Sequence, residues 1–264
     1  MISIATWNVN SVKSRLTHLT GWLKEDGPDI VLLQELKCID DAFPAMEIEE
    51  LGYNIAAHGQ KTYNGVAILS KFPLDDIMRG LPDNDNDDQA RYIEAVASVP
   101  GGAIRVASVY VPNGQTTDSD KYHYKLSFLD KLHAHCKTLL GYEEQLVIGG
   151  DYNIAPEDVD VHNPKHWEGS VLTHDTVRAA FRRMLNLGLY NAIRPVDGAN
   201  PQGGQFSWWD YRGGAYQNDD GLLIDHLLLS PQAMDALEAC GINRGLRELE
   251  KPSDHTPVVA TLSM

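Results

Sequence analysis

Apolar runs of strand length recur along this 264-residue chain, and each delivers a polar residue at or just beyond its end. Residues 2–7 run into Asn8, residues 29–34 deliver Glu35, and residues 146–149 lead to Asp151. Continuous apolar runs of four to eight residues read as strands buried on both faces. Residues 65–70, 92–99, 222–229 and 258–262 read the same way. Pro100-Gly101-Gly102 forms a hairpin into an alternating strand at 104–111, which breaks at Pro112. Helical spacing is rarer. Val12, Leu16, Leu19 and Leu23 fall at i, i+4, i+7 and i+11, and Gly27-Pro28 stops that helix. Residues 121–140 and 177–187 supply two more helices. Strands and helices alternate irregularly rather than as strict βαβ units, which implies an α/β fold of packed sheets covered by helices. Function is then expected in the loops that such a scaffold holds.

At this length a chain buries roughly 70–75% of its unfolded surface, so no staple is required. There is no Ser/Gly/Pro-rich linker, fixed-period repeat or low-complexity block, and the expectation is one domain over residues 1–264. Cys38, Cys136 and Cys240 are odd in number, far apart and outside any CxxC arrangement. They suit a reducing compartment rather than a disulfide framework or a zinc knuckle. The first residues lack the basic and apolar regions of a signal peptide, and no window approaches the ~20 apolar residues of a membrane span. The expected setting is the cytoplasm, without a membrane partner.

Charge points the other way from the motifs. Twenty-two basic against 37 acidic residues give −15 and an isoelectric point near 4.9, whereas phosphate contacts normally come from Lys and Arg. Two considerations offset this: affinity depends on the local face, and a bound divalent ion alters the local potential. The run Asp83-Asn84-Asp85-Asn86-Asp87-Asp88 reads as a solvated acidic loop.

Polar clusters sit on or after the apolar strands: Trp7-Asn8-Val9-Asn10, Gln34-Glu35, residues 110–114, residues 149–153, and Ile224-Asp225-His226 with Ser253-Asp254-His255. Singly, each has an ordinary structural explanation, such as an Asp that bonds its own turn. Together, carboxylates, amides and a histidine at several strand ends are the parts of metal-assisted phosphoester hydrolysis. Hard oxygen ligands select Mg²⁺, with Mn²⁺ as the alternative. Sulfur and clustered-histidine ligation, which zinc prefers, is missing. His133 and His135 are two apart on a helix and cannot face one ion together, and His162 and His166 read as exposed loop residues.

The ordered set WNVN, LQE-x-K, YVPNG, GDYNIAP, FSWWDYR, IDHLLLS and KPSDHTP resembles bacterial exonuclease III and the abasic endonucleases, within the endonuclease/exonuclease/phosphatase superfamily. The resemblance runs the length of the chain. It implies a four-layer α/β sandwich, with two facing mixed β-sheets flanked by helices and the site at one edge. It implies that Glu35 is the main metal ligand, with Asn8, Asn10 and Asp254 in the metal region. Asp151 would orient and deprotonate the attacking water. Asn153, Tyr110 and Asn113 would contact the phosphate, and His255 would do so while held by Asp225. Trp208, Leu222 and Ile224 match positions of an apolar pocket for a flipped-out abasic sugar. The implied substrate is double-stranded DNA with abasic sites or 3′ ends, cut by abasic endonuclease, 3′→5′ exonuclease and 3′-phosphatase activities; a monomer is expected.

This chain departs from the pattern at Leu223, where the family often has a basic residue. Arg91, Lys121, Lys125 and Arg212 remain as candidate phosphate contacts. Asp151 also poses a chemical question, since an ordinary Asp with pKa about 3.9 is a poor base. Two other readings are another phosphoesterase of the same fold and a non-catalytic nucleic-acid-associated regulator. The retained Glu35, Asp151, Asn153, Asp225, Asp254 and His255 weigh against the regulator.

Overall fold

Two parallel strand pairs, each closed by a helical crossover, organise the chain. In the computed structural model, which describes residues 1–84, 87–194 and 205–264, β1 (Ile2–Asn8) is followed by α1 (Leu16–Asp26) and β2 (Ile30–Gln34). The chain continues through α2 (Ala45–Glu49), β3 (Asn54–His58), β4 (Val66–Ser70), β5 (Leu74–Arg79) and β6 (Tyr92–Val99). Next come β7 (Gly102–Tyr110), α3 (Asp120–Leu140) and β8 (Leu146–Asp151). It ends with α4 (Pro164–Trp167), α5 (Asp175–Leu185), β9 (Tyr190–Asn191), β10 (Asp225–Leu229), α6 (Pro231–Asp235), β11 (Leu237–Ile242) and β12 (Val258–Leu262). The two sheets have the orders β11-β12-β1-β2-β4-β3 and β5-β6-β7-β8-β10-β9. β1 pairs in parallel with β2, and β7 with β8; the named neighbours elsewhere in both sheets are antiparallel. A parallel pair needs a crossover of a dozen or more residues, which α1 and α3 supply.

The sandwich has four layers because both faces of each sheet are apolar. Ile4, Leu32, Ile68, Ile93, Val106, Val147 and Leu227 fill the space between the sheets. Trp7, Val31, Leu33 and Leu69 turn outward under α1, against Leu19, Trp22 and Leu23. On the other side, Ala107, Val109, Ile148 and Leu228 lie under Phe128, Leu129 and Leu132 of α3 and Val177 and Phe181 of α5. Gly149 marks a close approach of the sheets: a Cβ there would lie 2.6 Å from the side chain of Leu32 in the facing sheet, and 2.6 Å from that of Leu227 on the neighbouring strand. The expected four-layer α/β sandwich is therefore the observed fold.

Three readings shift. The first helix begins at Leu16; Val12 lies in a turn whose N–H donates to Leu36 O at 3.2 Å, so its apolar period continues outside the helix. The strand at 222–229 shortens to β10, because Leu222 is bridged instead to Val161 and Trp208. β3, β5 and β11 were not legible as apolar runs, since they lie at sheet edges with half-exposed or exposed residues. Asp83 and Asp88 are exposed as expected of an acidic loop, while Asp87 accepts from Tyr124 Oη at 2.7 Å. Asp85 and Asn86 lie outside the described residues. No helix among the described residues is long and apolar enough to cross a membrane.

Alternation along β10 sends Asp225 inward and His226 outward, where Tyr152 and Phe181 enclose the ring. His226 Nε2 lies 3.0 Å from Ile154 O, and Nδ1 lies 3.2 Å from Asn191 Nδ2. Both contacts are met by one neutral tautomer, N–H at Nε2. Burial drops the His226 pKa to about 3. Between that value and the unfolded ~6.5, only the unfolded chain is protonated, so this residue's stabilising contribution is lost as pH falls through that window. His226→Gln should therefore bind about one proton fewer on unfolding at pH 4–5 than the parent. Urea unfolding followed by tryptophan fluorescence across pH 4–7 checks this; an unchanged slope of stability against pH would contradict it.

Candidate active site

The period of two along each strand brings the polar residues together. Asn8 and Gln34 lie opposite one another in one sheet, and Tyr110 and Asp151 in the other, with Asp225 opposite Asp151. Gln34 marks the floor: its amide donates to Thr6 Oγ1 at 3.0 Å and to Ser108 Oγ at 2.9 Å, tying the sheets together beneath the site. Above it, Asn8 Nδ2 donates to Glu35 Oε1 at 3.0 Å and to Asp151 Oδ2 at 2.9 Å. Tyr110 Oη donates to Glu35 Oε1 at 2.8 Å. Asn153 donates its backbone N–H to Asp151 Oδ1 at 2.8 Å and its amide to Asp151 Oδ2 at 3.2 Å; it accepts from Asn113 Nδ2 at 3.0 Å.

The C-terminal loop completes the row. His255 Nδ1 lies 2.8 Å from Asp225 Oδ2, and its Nε2 lies 3.7 Å from Asp151 Oδ2. Asp254 accepts from Asn10 Nδ2 at 2.9 Å and from Trp208 Nε1 at 3.0 Å. Glu35, Asn10 and Asn153 have φ of 54°, 45° and 51°. These left-handed conformations turn their side chains out of the strand direction.

Electrostatics separates the carboxylates. Burial works to raise the Glu35 pKa, but the Lys37 ammonium 2.8 Å away and the Asn8 and Tyr110 donors hold it below the usual range. Burial drives the Asp151 pKa up, and Asp225 and Glu35 add to the effect against His255 and Asn8. Burial opposes a charge on His255, but Asp225 and Asp151 outweigh it and keep the imidazole protonated above its ordinary range. Glu35 is thus a ready anion, and Asp151 is a carboxylate whose basicity is raised.

The remaining sequence candidates divide by exposure. The Arg91 guanidinium stacks 4.8 Å from the Tyr110 ring centre and donates to Gln89 Oε1 at 2.8 Å. With Lys121, it borders a groove of about 440 Å³ beside Tyr110 and Asn113. Arg212 is 92% exposed in its side chain and paired with Asp210 at 3.4 Å. Lys125 is a correction: it is fully buried and makes no solvent-facing surface. Leu222 and Ile224 are also buried, at 0% and 2% exposure, and lie beneath the surface. The groove wall on that side, enclosing about 440 Å³, comes from Trp208 with Trp167, Val171, Leu172 and Asn113. Trp167 and Trp208 meet edge to face at 5.9 Å. Leu223 points into the core between the sheets.

Two contributors were missed. Ser207 donates to Asp225 Oδ2 at 2.6 Å and accepts from the Asp225 N–H at 3.1 Å, so it orients the partner of His255. Its only sequence signal was its place in FSWWDYR. Trp167, which ends α4 and lines the groove wall, had no signal in the sequence.

Residues 5–255 match the Endonuclease/Exonuclease/phosphatase family. Exodeoxyribonuclease III of Haemophilus influenzae is 34% identical over 263 residues, covering 97% of each chain. The structure of a 3′ phosphatase from Neisseria bound to product DNA hairpin superposes over all of both chains, with a TM-score of 0.95 and 38% identity. An AP endonuclease from Archaeoglobus fulgidus also superposes over both full lengths, at 0.92 and 36%. The chain belongs to the endonuclease/exonuclease/phosphatase family.

The family is metal-dependent, and the donors here fit a hard divalent cation. Lys37 Nζ stands in for one: it contacts Glu35 Oε2 at 2.8 Å and donates to Asn10 Oδ1. Its side chain is 31% exposed, so the ammonium lies on the solvent side of the site. Asp151, Asp225 and His255 form a second buried donor group. There the imidazolium already supplies the positive charge and has no route out of the core. The first position therefore accommodates an added cation at lower electrostatic cost. Replacing Asp225 by Asn should lower the His255 pKa, because it removes the nearest anion. An NMR titration of the imidazole in metal-free protein reads this directly, and an unmoved midpoint would show that Asp225 does not hold the charge.

Proposed function

We propose that this chain is an exonuclease III-type nuclease, one catalytic domain that hydrolyses phosphodiester bonds of double-stranded DNA at abasic sites and 3′ ends. The observation that carries the reading is the Asn8 amide between Glu35 and Asp151, which brings metal-type and base-type carboxylates to one edge of the sandwich. The relatives' named activities, on DNA ends and abasic sites, support it. Removal of a 3′-phosphate uses the same attack on phosphorus. The protein is proposed to act as a cytoplasmic monomer.

Each residue then has a distinct task. Asp151 orients a water and takes its proton, its raised pKa closing part of the gap to water. Asn153 steadies Asp151 through two hydrogen bonds and, by accepting from Asn113 Nδ2, holds the Asn113 amide in place to meet the phosphate. Tyr110 stays a neutral hydroxyl, because burial and the nearby Glu35 and Asp151 raise its pKa, and its one O–H, given to Glu35 in the free protein, would turn to a phosphate oxygen when substrate is bound. His255, kept charged by Asp225, offsets the negative charge that builds on the phosphoryl oxygens. Glu35, Asn8 and Asn10, with Asp254 bonded behind Asn10, would hold Mg²⁺ or Mn²⁺, which when bound polarises the phosphate and screens its charge. Trp208 and Trp167 offer an apolar wall to the sugar.

Asp151→Asn should reduce turnover by more than a hundredfold while duplex affinity stays near the parent's, since the water loses its base and phosphate loses a repelling charge. The assay is cleavage of a labelled duplex carrying one abasic analogue, beside an undamaged recessed-end duplex, in Mg²⁺ and in EDTA. Metal-dependent incision 5′ to the lesion is expected; no cleavage of either duplex in Mg²⁺ or Mn²⁺ would overturn the proposal.

Binding should depend on salt in proportion to a short list of cations. Arg91, Lys121 and Arg212 are three, and Lys125 and Leu223 add none. At about 0.9 per phosphate neutralised, the log–log slope against salt is expected near −3. Fluorescence anisotropy from low to physiological salt measures it, and a slope steeper than about −6 would show a phosphate-contacting face beyond these residues.

A further inference from the structure

Lys125 lies on the inner face of α3 with no exposed surface, and no carboxylate pairs with it among the described residues. Its Nζ donates instead to three backbone carbonyls: Asn153 O at 2.7 Å, Val171 O at 2.8 Å and Asn113 O at 3.1 Å. An ammonium has three N–H donors and no acceptor, so donors and acceptors match in number. A buried charge is tolerated when it is satisfied in this way. Burial nevertheless draws the pKa of the amine down to about 7, opposed by the negative charge of Asp151.

The three carbonyls belong to three separate segments, following β7, following β8 and preceding α5. Each presents a side chain toward the site. Asn113 donates to Asn153 at 3.0 Å, Asn153 donates to Asp151, and Val171 lines the groove beside Trp167 and Trp208. The lysine stem packs directly on the turn at Gly114, where φ is +99° and a Cβ would lie 3.2 Å from Lys125 Cδ.

We propose that Lys125 is a positioning residue, whose buried ammonium clasps the Asn113, Asn153 and Val171 segments and sets together the phosphate-facing amides and the groove wall. The clasp rests on the nuclease reading for its effect on turnover, but its geometry is independent of any substrate. It explains why a long cation sits where an apolar residue of similar size would fill the same space without a desolvation cost. An apolar residue leaves three carbonyls unpaired and three loops untied.

Lys125→Met keeps the stem and removes the donors; Lys125→Arg keeps the charge but offers a planar fork to a three-sided cradle. In folded Lys125→Met, the side-chain amide resonances of Asn113 and Asn153 should shift or broaden. Turnover on the abasic duplex should fall by roughly tenfold to a hundredfold, as for misplaced catalytic groups, with affinity changed less than about threefold. Turnover of Lys125→Ala should recover in part, and saturably, with added ethylammonium. Unmoved amide resonances with turnover within about threefold of the parent would overturn the clasp. In the parent itself, a ¹⁵N-lysine spectrum should show one ammonium protected from exchange and coupled to backbone carbonyl carbons; its absence would overturn the clasp even where a variant fails to fold. The two spectra need no DNA, so a parent that cleaves no duplex would defeat the nuclease reading and leave the clasp separately judged.

Discussion

Glu35 and Asp151 approach from different sheets, and two carboxylates so placed would drive the strand ends apart. The Asn8 amide lies between them, and a single NH₂ group donates to both at 3.0 and 2.9 Å. The rest of the site follows from that bridge. Ser253 Oγ donates to Asn8 O at 2.7 Å, and Trp7 Nε1 donates to His255 O at 3.2 Å, so the backbone around Asn8 also draws the C-terminal loop inward. With that loop come His255, as a cation between Asp151 and Asp225, and Asp254, as an anchor for Asn10. Four buried or half-buried carboxylates, Glu35, Asp151, Asp225 and Asp254, are thus interleaved with donors rather than left facing one another.

Strand parity is what made much of this legible. An apolar run that ends in Asn, Glu or Asp must expose or pair that residue at the sheet edge, and the facing sheets leave one common edge for them. The motifs WNVN, LQE-x-K, GDYNIAP and KPSDHTP then acquire a spatial meaning: β1 and β2 of one sheet, β8 of the other and the loop before β12 each supply a member of the row. What was not legible depends on tertiary approach. Ser207 reaches Asp225 only because the segment 206–209 runs between Leu222 and His255, bridged to both through Trp208. Leu222 and Ile224 matched an apolar pocket in sequence, but a residue's type does not say which side of the surface it lies on. Here the core claims both, and Trp167, from the end of α4, takes a place on the wall.

The same limit applies to cations. Lys125 reads from sequence as a polar helix residue near a phosphate-binding turn, and nothing local distinguishes a solvated ammonium from one enclosed by three carbonyls. Only the closure of α3 over the loops after β7 and β8 decides it. His226 is the parallel case. Next to Asp225 in sequence, it looks like part of the catalytic row, yet one step along a strand reverses its direction and places it in an aromatic cage.

The net charge of −15 takes on a different meaning once the cations are located. Arg105 is held by Glu94 and Glu144, Arg194 by Asp160, and Arg244 by Asp219, so these charges are spent within the fold. Arg247 and Arg244 are laid against Tyr216, with Trp209 and Tyr211 at the ends of the stack. Few basic groups near the site are left to meet a polyanion from solution, which is opposite to the usual footprint of a DNA-binding face. An acidic protein of this kind must gain its grip on phosphate at short range, from charge fixed inside the site. In the proposed nuclease, such sources would be His255, the Asn113 amide and a hard cation beside Glu35. Their effect is strongest where water is excluded and weakest along the flanking duplex. Recognition would therefore rest on the reacting nucleotide itself more than on the strand that carries it.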